Sequence, residues 1–287
     1  MEFYWQGNWG LLVVNTAALA YVSLFAVSGV ACLPAVPRAR TFETPAVRRG
    51  LGGLLVTTGL WALFKTAFFT LPDPFREGLY TVSLIFGFAT IWAWLYFCSA
   101  YTGRDYHENA TTRRLSAAVF LAVVSAKVTN PIHERYFTTT EVTVPFEHLA
   151  IEHGIFHWGA TGLSYVLAAL EIFMIYELYA ESGYDTRPLA LLTGLLAFPI
   201  VLDLVALLTP RLVSVIYAPL GVAAFAVGAL FVFERRFLAI QSSTDSDDPS
   251  IYPDEQGRIQ DYSPGAEAVL PGLDGATGER LGDALPG

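Results

Sequence analysis

The sequence predicts an all-α polytopic membrane protein with seven transmembrane helices, its N-terminus outside and its C-terminus inside. The first observation is composition: of 287 residues, 54% are hydrophobic and 15% are charged, and the mean hydropathy is +0.46. The second is that the hydrophobic residues fall into seven long runs. The third is a bias in how arginine is distributed between these runs. Together they predict a multi-pass protein of the cell membrane, with the lipid bilayer as a partner.

The hydrophobic runs approach or exceed the length of about 20 apolar residues that spans a bilayer core. Backbone groups inside lipid must bond within their own segment, which favours helices. The runs are Gly10–Leu33, Leu51–Leu71, Leu79–Ala100, Leu115–Thr129, Phe156–Leu178, Leu189–Leu208 and Leu212–Phe233. Pro199 and Pro219 are expected to kink the last two helices. Gly52, Gly53 and Gly59 are expected to allow close approach of helix two to its neighbours.

The orientation follows from the positive charges, which gather in cytoplasmic loops. With the N-terminus outside, ten arginines lie on the inner side and three on the outer side. The inner ones are Arg38, Arg40, Arg48, Arg49, Arg104, Arg113, Arg114, Arg187, Arg235 and Arg236, and the outer ones are Arg76, Arg135 and Arg211. The long polar loop Lys127–Trp158 is then extracytoplasmic.

The chain divides near residue 240, where its charge changes. Residues 1–240 hold 15 Lys+Arg and 16 Asp+Glu, a net charge of −1, whereas residues 241–287 hold 2 and 10, a net charge of −8. We therefore predict a seven-helix transmembrane domain over 1–240 and an acidic, mostly disordered cytoplasmic tail over 241–287. The acidic balance argues against a nucleic-acid partner.

The predicted outer loop, Lys127–Trp158, carries four of the five histidines. Its stretch Phe137–Val144 alternates loosely and is rich in β-branched residues, which is compatible with a short hairpin. His153 and His157 are four residues apart and share a helical face if the fifth helix begins early. Histidines at this spacing are weak candidates for zinc ligands, and packed interfacial histidines are the commoner outcome. We expect no bound metal and no cofactor.

Four ionisable residues fall inside the predicted helices, where charge is costly and rarely accidental. At about 1.5 Å per residue, Lys65, Lys127 and Asp203 share one level beneath the loop, and Glu171 lies deeper, on the face of Ser164. Two interpretations are open: a polar cavity that faces outward, or structural pairing of Asp203 with Lys65 or Lys127, with Lys127 also able to extend to the interface. The candidate ligand-sensing or polar-cavity residues are Lys65, Lys127, Asp203, Glu171, His133, Glu152, His153 and His157.

Several chemistries are missing from the sequence. The seventh predicted helix has no lysine, so it cannot hold retinal as a Schiff base. Helices two, three and seven have no histidine, which argues against a membrane zinc hydrolase. There is no Gly-rich phosphate loop and no nucleophile elbow. We expect the chain not to be an enzyme; a small-solute transporter and an intramembrane metal-dependent hydrolase are the alternatives.

Three motifs occur at defined places on the predicted helices. Tyr101-Thr102-Gly103-Arg104 follows the aromatic end of helix three, Thr129-Asn130-Pro131-Ile132-His133 follows helix four, and Phe198-Pro199 precedes Asp203 in helix six. In this order, they resemble the N-terminal seven-transmembrane sensor domain of prokaryotic, especially haloarchaeal, histidine kinases. The resemblance covers about residues 10–240.

The resemblance implies a membrane sensor or receptor of two-component signal transduction. A stimulus from outside or from the membrane would shift the helices and reach a cytoplasmic partner, either a kinase or a response regulator. Residues 254–267 resemble the beginning of a PAS domain, of which the tail holds an incomplete part. Because no kinase core follows, we expect the chain to act through another protein or to be a truncated relative of such kinases. A homodimer is left open.

Overall fold

The computed structural model of the protein is mostly helical. It describes residues 5–42, 44–143, 146–181, 191, 193–209, 213, 216–231, 251–254, 256–262, 266, 269–273 and 275–284. Arg187, Arg211, Arg235 and Arg236 lie outside the described residues, as do three of the first four residues of the predicted sixth helix and the start of the tail.

Four helices are long and apolar enough to cross a membrane. They are α1 (Trp5–Ala35), α2 (Pro45–Thr70), α3 (Phe75–Tyr101) and α6 (Ile155–Glu181). Each coincides with one of the predicted hydrophobic runs, because an uninterrupted apolar run in lipid satisfies its backbone groups as a helix. The main hydrophobic core lies between these helices and the later helix Ala218–Phe231.

Three further helices overlap the remaining predicted runs, and the first of them begins five residues before its run. They are α4 (Ala110–Val128), α7 (Phe198–Leu208) and α8 (Ala218–Phe231), with 19, 11 and 14 residues. The Asn109 side chain caps α4 by accepting hydrogen bonds from two backbone N–H groups of its first turn. The one-turn helix α5 (Asn130–His133) follows α4.

The predicted seventh helix begins later than expected, at Ala218 and not at Leu212. The described residues just before it are irregular because side chains bind their backbone groups. The N–H of Val213 donates to the Tyr21 hydroxyl at 3.0 Å, and the N–H of Tyr217 donates to Asp203 at 2.9 Å. Such tertiary partners replace the hydrogen bonds that would continue the helix.

The predicted kink is wrong for Pro219, which lies at a helix start, whereas a 3-10 turn interrupts the helical stretch directly before Pro199, as expected where a proline distorts a helix. Pro199 is the second residue of α7 and follows a 3-10 turn at Leu195–Ala197, and Pro219 is the second residue of α8. Proline is tolerated in the first turn, where its missing N–H has no intrahelical partner. A Cβ at Gly221 would lie 2.7 Å from the Pro199 ring, so this glycine permits the contact between α7 and α8.

Of the three glycines predicted to let α2 approach its neighbours closely, only Gly59 clearly does so. A Cβ at Gly59 would lie 2.8 Å from the Leu33 side chain, so α1 and α2 approach closely there. A Cβ at Gly53 would meet Ala93 at an ordinary 3.8 Å. Gly52 has no atom within 4 Å of this position, and the prediction is wrong there.

A β-hairpin covers one end of the helices and confirms the predicted hairpin. Strand β1 (Phe137–Val142) pairs antiparallel with β2 (His148–His153), so that Phe137 faces His153 and Val142 faces His148. The hairpin packs on the helices through a cluster that includes Phe68, Tyr80 and Phe137. The end of the bundle beneath it is called the hairpin end.

The described part of the tail has a short hairpin of its own. Strand β3 (Ile251–Pro253) pairs antiparallel with β4 (Ile259–Tyr262), and α9 (Leu281–Ala284) follows. Its buried core consists of Ile259, Ala266, Leu273 and Ala276. A core of this size contributes little stabilisation by itself. The mostly disordered, incomplete PAS-like tail stays a prediction.

Candidate ligand cavity

A cavity of about 310 Å³ lies between the helices beneath the hairpin. The volume is at the lower end of the range typical of small-molecule sites. The wall is mostly apolar and includes residues of α2, α3, α4, α6, α7 and α8. The contribution of α6 is a stripe of residues on one helical face: His157, Thr161, Ser164, Ala168 and Glu171. This helix therefore forms one side of the cavity along much of its length.

Five of the eight predicted cavity residues line this space. They are Lys127, Asp203, Glu171, His153 and His157. The other three do not line it. Lys65 is fully buried nearby, His133 packs against Phe156 with ring centroids 5.4 Å apart, and Glu152 is exposed on β2. The sequence thus identified residues from separate helices that the fold brings to one cavity.

Lys65 and Lys127 point inward, and aromatic rings surround their ammonium groups. Lys65 Nζ lies 4.4 Å from the centroid of the Tyr80 ring and has no hydrogen-bond partner among the described residues. Lys127 Nζ donates to the carbonyl of Leu84 at 2.6 Å and lies 4.7 Å from the centroid of Phe88. Ring faces attract cations, especially where water is absent. Lys127 is only 2% exposed, so it does not extend to the interface as predicted.

The predicted ion pair of Asp203 with a lysine is wrong, since neither Lys65 nor Lys127 forms an ion pair with it within 4.0 Å. Lys65 is close enough only for a through-space attraction. Asp203 Oδ1 instead accepts the backbone N–H of Tyr217 at 2.9 Å, just before α8 begins. The first N–H groups of a helix lack intrahelical partners and carry partial positive charge. Asp203 therefore stabilises the start of α8 from the neighbouring helix.

His153 and His157 do not share a helical face, because His153 ends β2 and α6 begins at Ile155. Gly154 makes the change of direction: its N–H donates to the Tyr136 carbonyl at 2.9 Å. A Cβ at Gly154 would lie 2.1 Å from the Arg135 carbonyl oxygen, so no other residue fits without movement. The two imidazole rings nevertheless stack, with centroids 3.8 Å apart and planes inclined by 19°.

The histidine stack joins the hairpin to the helices. His153 Nε2 lies 3.1 Å from the Tyr80 hydroxyl. Burial, and then the charge of Lys65, lowers the pKa of His153 to about 4, so its ring is neutral at pH 7. Stacked rings direct their nitrogens into parallel planes and not toward one common point, where a metal ion would have to lie. Among the described residues, no group of three His, Cys, Asp or Glu could hold a metal ion. Packing explains the His153–His157 pair better than zinc ligation does.

Glu171 differs from the other ionisable residues of the cavity wall. Its side chain is fully buried, and neither carboxyl oxygen has a hydrogen-bond partner among the described residues. It lies 14 positions after His157 on α6, which corresponds to a separation of about 21 Å along the helix axis. The Glu171 carboxyl group is therefore a second polar group of the cavity wall, far from the hairpin end.

The motif Thr129-Asn130-Pro131-Ile132-His133 attaches the hairpin to α4. The buried Asn130 side chain accepts the N–H groups of Tyr136 and Phe137 at 2.9 and 3.2 Å, and donates to the Phe137 carbonyl at 2.8 Å. Pro131 lies in the first turn of α5. His133 Nε2 lies 3.1 Å from a carbonyl oxygen in the last turn of α4. These contacts are structural, and Asn130, Pro131 and His133 do not line the cavity.

The motif Tyr101-Thr102-Gly103-Arg104 ends α3 and connects it to α6 at the opposite end of the bundle. Tyr101 is fully buried. Gly103 has φ of 66°, a left-handed conformation that suits glycine. The Arg104 guanidinium donates to the Thr102 hydroxyl and forms an ion pair with Glu177 of α6. The two ends of α6 are thus attached by different contacts.

Sequence reasoning missed the residues that contact the predicted charges. Tyr80 contacts both Lys65 and His153, although it is 73 positions from that histidine. Trp61 and Trp94 line the cavity from α2 and α3. Aromatic residues are frequent throughout this sequence, so no local signal separates these from the rest.

Several membrane-crossing helices around a cavity with ionisable groups define a multi-pass membrane protein. Residues 12–240 match the family described as the N-terminal 7TM region of histidine kinase, and since this match covers about four-fifths of the chain, the chain belongs to that family. The family region is the membrane sensor part attached to histidine kinases and not the kinase core, which places the chain in the context of two-component signalling. No curated protein matches the chain.

Proposed function

We propose that the chain is a sensor module that relays an extracytoplasmic or membrane stimulus to a cytoplasmic kinase or response regulator, and that it is not itself an enzyme. The observation that carries the proposal is the cavity, whose wall combines Lys127, Asp203, Glu171, His153 and His157. Ionisable groups at membrane depth are costly and usually have a function. A small molecule in this space would contact four or more helices and favour the packing that fits it best.

The membrane arrangement belongs to the same proposal. Seven helices cross the bilayer, the hairpin faces outward, and residues 241–287 form a cytoplasmic tail. The overlap of α4, α7 and α8 with predicted hydrophobic runs supports the count, and the ten-to-three arginine bias supports the orientation.

Cysteine labelling in intact cells tests this arrangement. Thr139 lies on the hairpin, and the exposed Glu108 lies at the opposite end of the bundle. The natural cysteines, Cys32 and Cys98, are both buried, so background labelling is low. Thr139→Cys should react with a membrane-impermeant maleimide, and Glu108→Cys should react only after permeabilisation. Labelling of Glu108→Cys alone in intact cells would reverse the proposed orientation.

The relay proceeds through the contact between α7 and α8. Asp203 lines the cavity and also holds the N–H of Tyr217 at the start of α8. A ligand beside this carboxylate changes the position or strength of that hydrogen bond, and therefore the position of α8. The family match extends to residue 240, nine residues beyond the last described residue of α8, so α8 is the last described helix of the matched region and precedes the tail that we place in the cytoplasm.

Filling the cavity tests the sensor role. Ala168 lines the cavity, whereas its neighbour Ala169 is exposed on the outside of α6. In native membranes, Ala168→Trp should change the phosphorylation of the associated histidine kinase several-fold, measured with labelled ATP. Ala169→Trp adds the same bulk outside the cavity and should leave phosphorylation unchanged. Equal phosphorylation in both variants and the natural chain would contradict a sensing role for the cavity.

A further inference from the structure

The buried carboxyl group of Glu171 has no partner within the described part of the chain. Neither of its oxygens accepts a hydrogen bond, although the side chain is fully buried. Leaving a buried polar group unsatisfied costs about 1–3 kcal/mol, and more when the group is charged. Native proteins seldom retain such a group unless a water, an ion or a ligand satisfies it. We therefore look for the partner of Glu171 among the molecules that could enter the cavity.

The cations of the described structure are already engaged or too far away. Lys65 and Lys127 lie at the hairpin end, where aromatic rings hold their ammonium groups. Arg104 forms an ion pair with Glu177, one and a half turns further along α6. No ion pair within 4.0 Å joins Glu171 to any described basic residue. A positive partner therefore has to come from outside the described chain.

The rest of the cavity wall fits an organic cation better than an inorganic one. No group of three potential metal-ligating side chains occurs among the described residues. The volume of about 310 Å³ is roughly ten times that of one water molecule in the liquid. Trp61, Phe88, Trp94 and Tyr165 contribute aromatic surface to the wall. Aromatic rings with a nearby carboxylate are the combination that recognises ammonium groups on apolar bodies.

An anionic ligand fits less well. Lys127 is the one lysine or arginine that the described residues place in the wall, and it already donates to the Leu84 carbonyl at 2.6 Å and contacts the rings of Phe88 and Tyr136. The wall also contains two carboxyl groups, on Asp203 and Glu171. Since only Asp203 has a hydrogen-bond partner, the uncompensated group in the cavity is an acid.

We infer that the cavity takes a small organic ammonium compound, with its cationic nitrogen at Glu171 and its apolar body between the aromatic residues of α2, α3 and α6. This inference rests on the proposed function, in which the cavity is the ligand site. Because Glu171 is fully buried in the structure, contact with the ligand requires its side chain to rotate toward the cavity. The ammonium then supplies the hydrogen-bond donors that Glu171 lacks.

Binding of matched probes to the full-length chain tests the charge of the ligand. The probes are phenylalkyl primary amines with two to six methylene groups, together with the alcohol and the carboxylate of each length. Binding is measured by equilibrium dialysis at pH 7 in uncharged phosphatidylcholine nanodiscs, after subtraction of binding to empty nanodiscs. The best amine should bind about ten- to a hundredfold more tightly than its matched alcohol, as expected for a hydrogen bond to a charged group. Equal binding of amine and alcohol, tighter binding of the carboxylate, or no binding of any amine would overturn the inference.

Two variants locate the charge that the amine recognises. Glu171→Gln keeps the shape of the side chain and removes its charge, and it should abolish the preference for amine over alcohol. Glu141→Gln makes the same change on the exposed face of the hairpin and should preserve the preference. Circular dichroism and thermal unfolding check that both variants fold. Should Glu171→Gln fail to fold, the amine-to-alcohol ratio of the natural chain still decides between the outcomes.

The failure of this inference can be separated from the failure of the proposed function. Absence of amine binding, together with altered kinase phosphorylation in Ala168→Trp, would reject the ammonium ligand and leave the sensor role intact. Selective amine binding with unchanged phosphorylation in Ala168→Trp would support the ligand class and reject the sensor role.

Discussion

At the hairpin end of the cavity each ionisable side chain contacts a group of the protein, whereas Glu171 at the deep end contacts no hydrogen-bond partner among the described residues. Lys65 has aromatic rings around it, Lys127 has a carbonyl as well, and Asp203 accepts the N–H of Tyr217 just before α8. These partners explain why the hairpin end retains its charges even without a ligand. Glu171 has no such explanation. Buried charge alone therefore does not identify a binding residue, and the local partners of each charge have to be considered.

Removing Asn130 should have the largest effect on the hairpin end. Asn130→Ala leaves the N–H groups of Tyr136 and Phe137 without their acceptor, so the free energy of unfolding should fall by about 3 kcal/mol. Asn109 also accepts two N–H groups, but it is exposed, and Asn109→Ala should cost only about 1 kcal/mol. Denaturant titration in mixed micelles measures both. Equal losses would show that burial of Asn130 adds nothing.

Asp203 should contribute mainly through its hydrogen bond to Tyr217. Asp203→Ala removes the acceptor and should lower the free energy of unfolding by about 2 kcal/mol. Asp203→Asn keeps an acceptor oxygen and should cost less than half as much. The same titration compares the two variants. An equal loss in Asp203→Asn would mean that attraction to Lys65 matters more than the start of α8.

The histidine stack predicts that acid weakens the hairpin end. The pKa of His153 falls from its ordinary 6.5 to about 4 on folding, so the unfolded chain takes up a proton first as the pH falls. The neutral His153 ring therefore contributes fully to the free energy of unfolding above pH 6.5, and this contribution is lost as the pH falls toward 4. Between pH 7 and pH 5 the loss should be about 1–2 kcal/mol.

His153→Gln provides the control for this pH dependence, because glutamine does not titrate. The difference in unfolding free energy between pH 7 and pH 5 should shrink in this variant. The remaining difference belongs to other groups, including His148, whose pKa is also lowered by burial. If the difference between pH 7 and pH 5 is unchanged in His153→Gln, groups other than His153 cause the acid sensitivity.

The two lysines should respond differently to loss of their charge. Lys127→Met loses a hydrogen bond to the Leu84 carbonyl and should cost about 1 kcal/mol. Lys65→Met loses no hydrogen bond, and replacing a buried charge with an apolar side chain of similar volume is often neutral or stabilising. A larger loss in Lys65→Met than in Lys127→Met, in the same titration, would show that the Tyr80 ring is the stronger partner.

The smallest effect on stability is expected at the deep end. Glu171→Gln exchanges a buried polar group that has no partner among the described residues for another of the same shape. The cost of leaving the group unsatisfied is then similar, so the free energy of unfolding without ligand should change by less than about 0.5 kcal/mol. A fall of more than about 1 kcal/mol would reveal a partner in the chain and remove the contrast between the two ends of the cavity.

The sequence predicted the helices and the layer of charges because both depend on local composition and on helical rise. It also named Lys127, Asp203, Glu171 and the two histidines among eight candidates for a polar cavity, which was one of two open interpretations. It could not predict the start of α8, because that start depends on Asp203, which lies 14 positions before Tyr217. The aromatic partners of the lysines were missed for the same reason. Contacts between distant positions depend on how helices pack, and a single sequence does not reveal that packing.

The two attachments of α6 have a mechanical consequence. Near one end the ring of His157 rests on His153, and near the other Glu177 is joined to Arg104. These points are 20 residues apart, or about 30 Å, and the cavity borders the helix between them at Ser164 and Ala168. A helix held at both ends can bend in its middle while its ends tilt without moving away. We expect a ligand in the cavity to change the tilt of α6 at Glu177, and the turn at Gly103 is the first backbone that such a change reaches through Arg104.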